Sequence, residues 1–184
     1  MKQIVECVPN FSEGRDRSVI DQIVKAIASV EGIKVLDVDP GEATNRTVVT
    51  FVGCPDAVVE AAFQGVRCAC EVIDMRKHHG AHPRSGACDV LPLVPVAGIT
   101  LEECATLARG LAKRIYDELG VPCYCYEAAA FKPERKNLAV CRAGEYEALP
   151  EKISDPDRRP DFGPLEYNET VANNKQLSSF FLSS

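Results

Sequence analysis

The sequence predicts an α/β fold, an α+β two-layer arrangement in which a mixed sheet of about five or six strands carries helices on one face. Three observations carry this expectation. Short β-branched runs alternate with longer segments whose apolar residues recur every three or four positions. Proline and glycine punctuate the junctions between them. The 184 residues are 46% hydrophobic and 26% charged, the balance of a globular chain long enough for one compact domain with its own core.

Ile4 to Pro9 alternates as a first strand, and Pro9-Asn10-Phe11-Ser12-Glu13-Gly14 follows as a turn-rich loop. Val19, Ile20, Ile23, Val24 and Ile27 share one helical face, which predicts a helix over 17–30. Gly32 ends it. Ile33 to Asp39 and Thr47 to Val52 are β-branched runs separated by Pro40-Gly41 and a polar stretch ending at Asn45-Arg46, so a pair of adjacent strands is expected. Apolar positions at 58, 59, 62, 63, 66, 69, 72 and 73 give a second amphipathic helix over 56–73, opened by Pro55. Val90 to Val96 is apolar, but Pro92 and Pro95 each remove a ladder donor, which predicts an irregular or edge strand. Thr100-Leu-Glu-Glu103 has the form of a capping box and starts a third helix that runs to Leu119 and stops at Gly120. Pro122 to Tyr126 reads as a strand with Cys123 and Cys125 on one face and Tyr124 and Tyr126 on the other. Beyond Ala130 the periodicity fades to one helical turn over 145–149, and from Pro150 it is mostly lost, so a loose tail is expected.

A net charge of −6 and a pI of about 5.2, with no stripe of Lys and Arg, exclude a nucleic-acid surface. No run of 18 apolar residues is present, which excludes a membrane-spanning helix, and the first residues enter a strand pattern without the apolar core of a signal peptide. A cytoplasmic location is expected. The nine cysteines are odd in number and scattered over apolar segments, so they read as reduced, buried hydrophobes.

All three histidines, His78, His79 and His82, fall within one pentapeptide. Gly80 and Pro83 stop the preceding helix there, so the segment is a loop that can bring imidazole to a sheet edge. His82 is the most constrained of the three, and an imidazole that accepts and returns protons near neutral pH is a natural general base. The competing reading is a set of solvated histidines at a helix end, where positive charge suits the dipole. A zinc site from His78 and His82, spaced four apart, needs a continuous helix that Gly80 and Pro83 oppose.

Several longer runs carry a family resemblance. Val5-Glu-Cys-Val-Pro-Asn-Phe-Ser-Glu-Gly14, Leu36-Asp-Val-Asp39, Thr44-Asn-Arg-Thr-Val48 and Thr50-Phe-Val-Gly53 are the first of them. Asp74 through His78 and His82-Pro-Arg84 to Asp89-Val90, and Arg142-Ala-Gly-Glu-Tyr-Glu-Ala-Leu-Pro-Glu-Lys152, complete the set. Over residues 3 to 164 the chain resembles the N-terminal subdomain of the glutamate formimidoyltransferase family, the transferase half of formimidoyltransferase-cyclodeaminase. The two-layer fold expected is then ferredoxin-like. The resemblance implies transfer of a formimidoyl group from N-formimidoyl-L-glutamate to tetrahydrofolate in histidine degradation, with tetrahydrofolate as substrate and no metal, and His82 as the catalytic residue. Asp39 could orient the imidazole or simply form the turn before Pro40-Gly41. Arg84 and Arg46 are candidate receptors for substrate carboxylates, or ordinary ion pairs; Asn10 and Ser12 offer polar groups in a loop. Cys88, close to His82 in sequence, has no role in the family. Gly163 and Pro164 open the family's folate-binding stretch.

From Leu165 the family pattern stops, and the second subdomain and the cyclodeaminase domain lie outside these 184 residues. The division expected is a transferase subdomain over 1–164 and a divergent, poorly ordered tail over 165–184. With that second wall of the folate site missing, the two readings are a transferase completed by a second copy across an exposed sheet face, and an inert module that binds a partner, or folate weakly, through that face. Family members are also found at the Golgi or centrosome.

Overall fold

Alternation decides the first strand: Val5 and Cys7 are wholly buried, while Ile4 and Glu6 are half-buried on the other face of β1, Ile4–Cys7. The computed structural model describes residues 2–82, 84–145, 147–166 and 180–184. The expected strand to Pro9 breaks at Val8-Pro9 and resumes as β2, Asn10–Phe11, which pairs the same neighbour, β4, further along. Then follow α1 (Arg17–Ala28), β3 (Lys34–Gly41), β4 (Arg46–Gly53), α2 (Pro55–Val72), β5 (Val90–Ala97) and α3 (Leu101–Leu119). β6 (Cys123–Cys125), two 3-10 turns, α4 (Leu138–Arg142), α5 (Leu149–Ser154) and β7 (Phe180–Ser183) complete the chain.

The sheet runs β3-β4-β1-β5-β7-β6, with β2 extending β1 along β4. β1, β3, β4 and β5 pair antiparallel, and β7 is parallel to both β5 and β6. Strand, helix, strand, strand, helix, strand in this order, with the first strand between the third and the fourth, is the split βαβ of a ferredoxin-like layer. Phe51, Val49, Val5 and Leu93 meet Ile23, Ile27, Val58, Val66, Ala108 and Leu111 in one core between the sheet and α1 to α3. Side chains such as Phe51 and Leu111 each stabilise by about 1.5–3 kcal/mol through burial. The capping box at Thr100 and Glu103 forms as its sequence implies, and Gly120 closes α3 in the left-handed region at φ 70°.

Three expectations are corrected. β5 has the expected irregularity, a register shift against β1 at Ile4 and Val5, but it is a central strand and not an edge, with its prolines near the weak points of the ladder. Pro92 lies across from Val8, at the β1–β2 interruption, and Pro95 lies beyond the last residue paired with β7 and beside the bulge at Ile4 and Val5. Helices do not all lie on one face. Tyr124, Tyr126 and Val90 point away from Cys123 and Cys125 and form a second core with Cys141 and Leu138 of α4. The sheet is thus covered on both faces at β5-β7-β6 and on one face at β3-β4-β1. Nor is the end of the chain wholly loose: β7 inserts between β5 and β6, with Leu182 and Ser183 buried. The rest of the expected tail, 167–179, lies outside the described residues. Seven cysteines are buried, Cys68 is half-buried and Cys54 is exposed; all nine are free thiols. No helix among the described residues is long and apolar enough to cross a membrane.

Candidate functional site

The loop after α2 lies against the turn that joins β3 to β4, and one residue of that turn holds it. Asn45 sits in the left-handed region at φ 50°, where asparagine is tolerated better than branched residues. Its Oδ1 accepts from the Gly14 backbone N–H at 2.9 Å, its Nδ2 donates to the His79 carbonyl at 3.0 Å, and its own carbonyl accepts from His78 Nε2 at 2.8 Å. Gly80 lies so close that a Cβ there would stand 2.3 Å from the Thr44 carbonyl oxygen, an approach open only to glycine.

His78 is buried, with its Nε2 proton committed to Asn45 and its Nδ1 without a partner among the described residues. Burial, more than any neighbouring charge, holds its pKa below the ordinary 6.5. The unfolded chain therefore binds this proton first as pH falls, so His78 costs nothing above pH 6.5 and subtracts stability below it, down to the depressed folded value. Unfolding midpoints measured across this window are expected to fall more steeply in the native chain than in His78→Gln; equal slopes would overturn this.

His82 is set where three elements meet. Its Nε2 is 3.0 Å from Arg46 Nη1 at the start of β4 and 4.0 Å from Asp89 Oδ2 just ahead of β5. A guanidinium can only donate, so the short contact is a hydrogen bond in the tautomer that carries the ring proton on Nδ1 and leaves the Nε2 lone pair to accept. Asp89 is 1% exposed and is held by Arg142 of α4 through both carboxylate oxygens, Nε at 3.3 Å and a shorter contact from Nη2. The backbone register aligns these groups: Val48 pairs Asn10, and the Asp89 N–H donates to the Asn10 carbonyl at 2.8 Å. Arg46, Asn10 and Asp89 therefore sit on the sheet face opposite α1 to α3. A proton acceptor flanked by a fixed cation and a fixed anion is an arrangement for moving one proton while stabilising charge on either side.

Comparison with known families matches residues 4–172 to the family described as "Formiminotransferase domain, N-terminal subdomain". The chain belongs to this family. The match runs eight residues past Pro164, where the motif resemblance ends. The chain is 54% identical over 167 residues to the formimidoyltransferase-cyclodeaminase of Sus scrofa and 53% to that of Dictyostelium discoideum, covering 91% of itself and 31% of each. It is 48% identical over 171 residues to the glutamate formimidoyltransferase of Streptococcus pyogenes serotype M1, covering 93% of itself and 57% of that protein. It thus spans about a third of the length of the first relatives and just over half of the bacterial one.

In this formiminotransferase subdomain the residues singled out from sequence do not all converge. Arg46 meets His82, and Asn10 pairs the backbone of Asp89. Asp39 is exposed on the outer strand β3, across from Val48, and the carboxylate beside His82 is that of Asp89. Arg84 donates to the His78 carbonyl at 2.8 Å and pairs Glu147, so it ties the histidine loop to the segment after α4. Ser12 fixes the same loop by donating to the Gly86 carbonyl at 2.6 Å. His79 is exposed, and Cys88 is buried with its thiol pushed up by burial. Pro164 lines a cavity with Tyr116, Asp117 and Gly120 at the end of α3, and Gly163 follows the Phe162–Cys123 bridge at the β6 edge, both away from His82. His78 and His82 lie in a loop and share no helix face.

Asp89, Arg142 and Asn45 escaped the reading. The available signal was an acid inside Gly86-Ala87-Cys88-Asp89-Val90, where small apolar neighbours announce burial and a buried carboxylate requires a cation.

Proposed function

We propose that this subdomain carries the proton-transfer half of a formimidoyltransferase site, moving a formimidoyl group from N-formimidoyl-L-glutamate to tetrahydrofolate. The observation that carries the reading is the Arg46–His82–Asp89–Arg142 array. The folate N5 attacks the amidine carbon; His82 Nε2 takes the N5 proton as the new C–N bond forms. The imidazolium then returns it to the glutamate nitrogen as that C–N bond breaks. Asp89 steadies the imidazolium between these steps. For the first of these steps Arg46 gives up its 3.0 Å contact with His82 Nε2 and turns its guanidinium to a substrate carboxylate, which frees the Nε2 lone pair for the proton. The deciding experiment is a coupled assay of the chain with formimidoylglutamate and tetrahydrofolate; turnover no higher than that of His82→Ala sinks the transferase reading.

A second reading, a partner-binding module, is favoured by the open half of the sheet, where Leu36, Val94 and Val96 are 48%, 37% and 55% exposed. Sedimentation separates the two: a monomer that turns over substrate supports the first, and an inert self-associating chain the second.

A further inference from the structure

On the sheet face that α4 and α5 cover, a cavity of about 190 Å³ opens beside the Tyr124 ring. It is as large as roughly six water molecules at about 30 Å³ each. Two cations at its inner end are almost wholly enclosed: Arg135 is 4% exposed and Lys152 is 3% exposed. They are not equivalent. Arg135 pairs Asp161 at 2.5 Å and donates to the Arg159 carbonyl at 2.6 Å, so its charge is answered. The Lys152 ammonium donates to the Cys141 carbonyl at 2.8 Å and stands 5.8 Å from the Tyr124 ring, but makes no ion pair among the described residues. Burial and the nearby Arg158 guanidinium both act against its charge, lowering its proton affinity. A buried ammonium with one neutral acceptor and a second cation facing it lacks a counter-charge. Glu134 and Asp157 lie at the exposed rim, where water screens them.

We propose that this cavity is an oxyanion site, taking phosphate or a carboxylate between Lys152 and Arg158. The anion supplies the charge that Lys152 lacks, and Arg158, which pairs Glu151 at 2.9 Å across the exposed rim, turns from that carboxylate to close on it. The site reaches the histidine loop through α4: the carbonyl that Lys152 holds belongs to Cys141, and the next residue, Arg142, grips Asp89. Occupancy therefore firms the helix that presents Arg142, whether or not the chain is a transferase.

The test is titration of the whole chain with inorganic phosphate, and separately with glutarate, at constant ionic strength, followed by amide NMR and thermal unfolding. Saturable binding with shifts confined to α4, α5 and Arg158 is expected, and the tighter of the two anions names the natural source. Arg158 is exposed, so Arg158→Gln keeps the fold and is expected to weaken binding about tenfold. Lys152→Met, if it folds, is expected to abolish binding. A response that chloride reproduces, or an unchanged affinity in Arg158→Gln, would overturn the site and leave Lys152 as a cap on the α4 carbonyls.

Discussion

In an assay of formimidoyl transfer, His82→Ala is expected to lower kcat by about 10²–10⁴-fold, the contribution of a positioned general base, with little change in KM. Neither Arg46 and Asp89 at the imidazole nor Arg142 behind Asp89 can replace it. The guanidiniums of Arg46 and Arg142 only donate, and the Asp89 carboxylate is engaged by Arg142 on both oxygens. His82 Nε2 is thus the basic lone pair of the array, held by Arg46 at 3.0 Å until a substrate carboxylate draws the guanidinium away. His82→Gln can still accept from Arg46 through its amide oxygen but cannot carry a proton, so it preserves the geometry and loses the chemistry. Matching unfolding curves for the native chain and both variants would place the loss in catalysis. Native kcat in His82→Ala would show that the proton moves elsewhere.

The helices and strands of the first 125 residues were legible because one periodicity dominated each. α2 buries Val58, Ala62, Val66 and Ala69 along one face, and Cys123 and Tyr124 part to opposite cores as strand alternation requires. β5 is irregular as expected but not an edge, because a proline's local cost is fixed while its place in the ladder is not: Pro92 pairs the last residue of β7 and Pro95 lies past that pairing. β7 escaped for a related reason: four residues have too little pattern to separate a parallel central strand from a tail. His82 and Arg46 were legible as residue types suited to the chemistry. Asp89 was hidden because it stands seven positions from His82, while Arg142 stands 53 from Asp89, and only the fold closes that interval.

Asp89→Asn is expected to cost about 2–3 kcal/mol, below the ~3–5 kcal/mol of a fully buried broken pair, because the Arg142 side chain stays 24% exposed and can recover some hydration. The substitution keeps size and backbone, so the Asp89 N–H still bonds the Asn10 carbonyl at 2.8 Å, and the loss reports charge rather than packing. Arg142→Met should cost more, since it leaves a carboxylate that is 1% exposed without its cation. Urea unfolding of both single variants and the double variant gives the coupling directly, and a double variant no worse than Arg142→Met is the expected sign that the two act as one unit. Under the proposed transfer, kcat separates this pair from an ordinary structural ion pair. Asp89 lies 4.0 Å from His82 Nε2, so under the proposed reaction its charge acts most strongly on the imidazolium of the transition state. Asp89→Asn should therefore lower kcat while leaving KM nearly unchanged. A variant that lost stability and kept its kcat would reduce Asp89 to a brace for α4 and move the electrostatic role to another carboxylate.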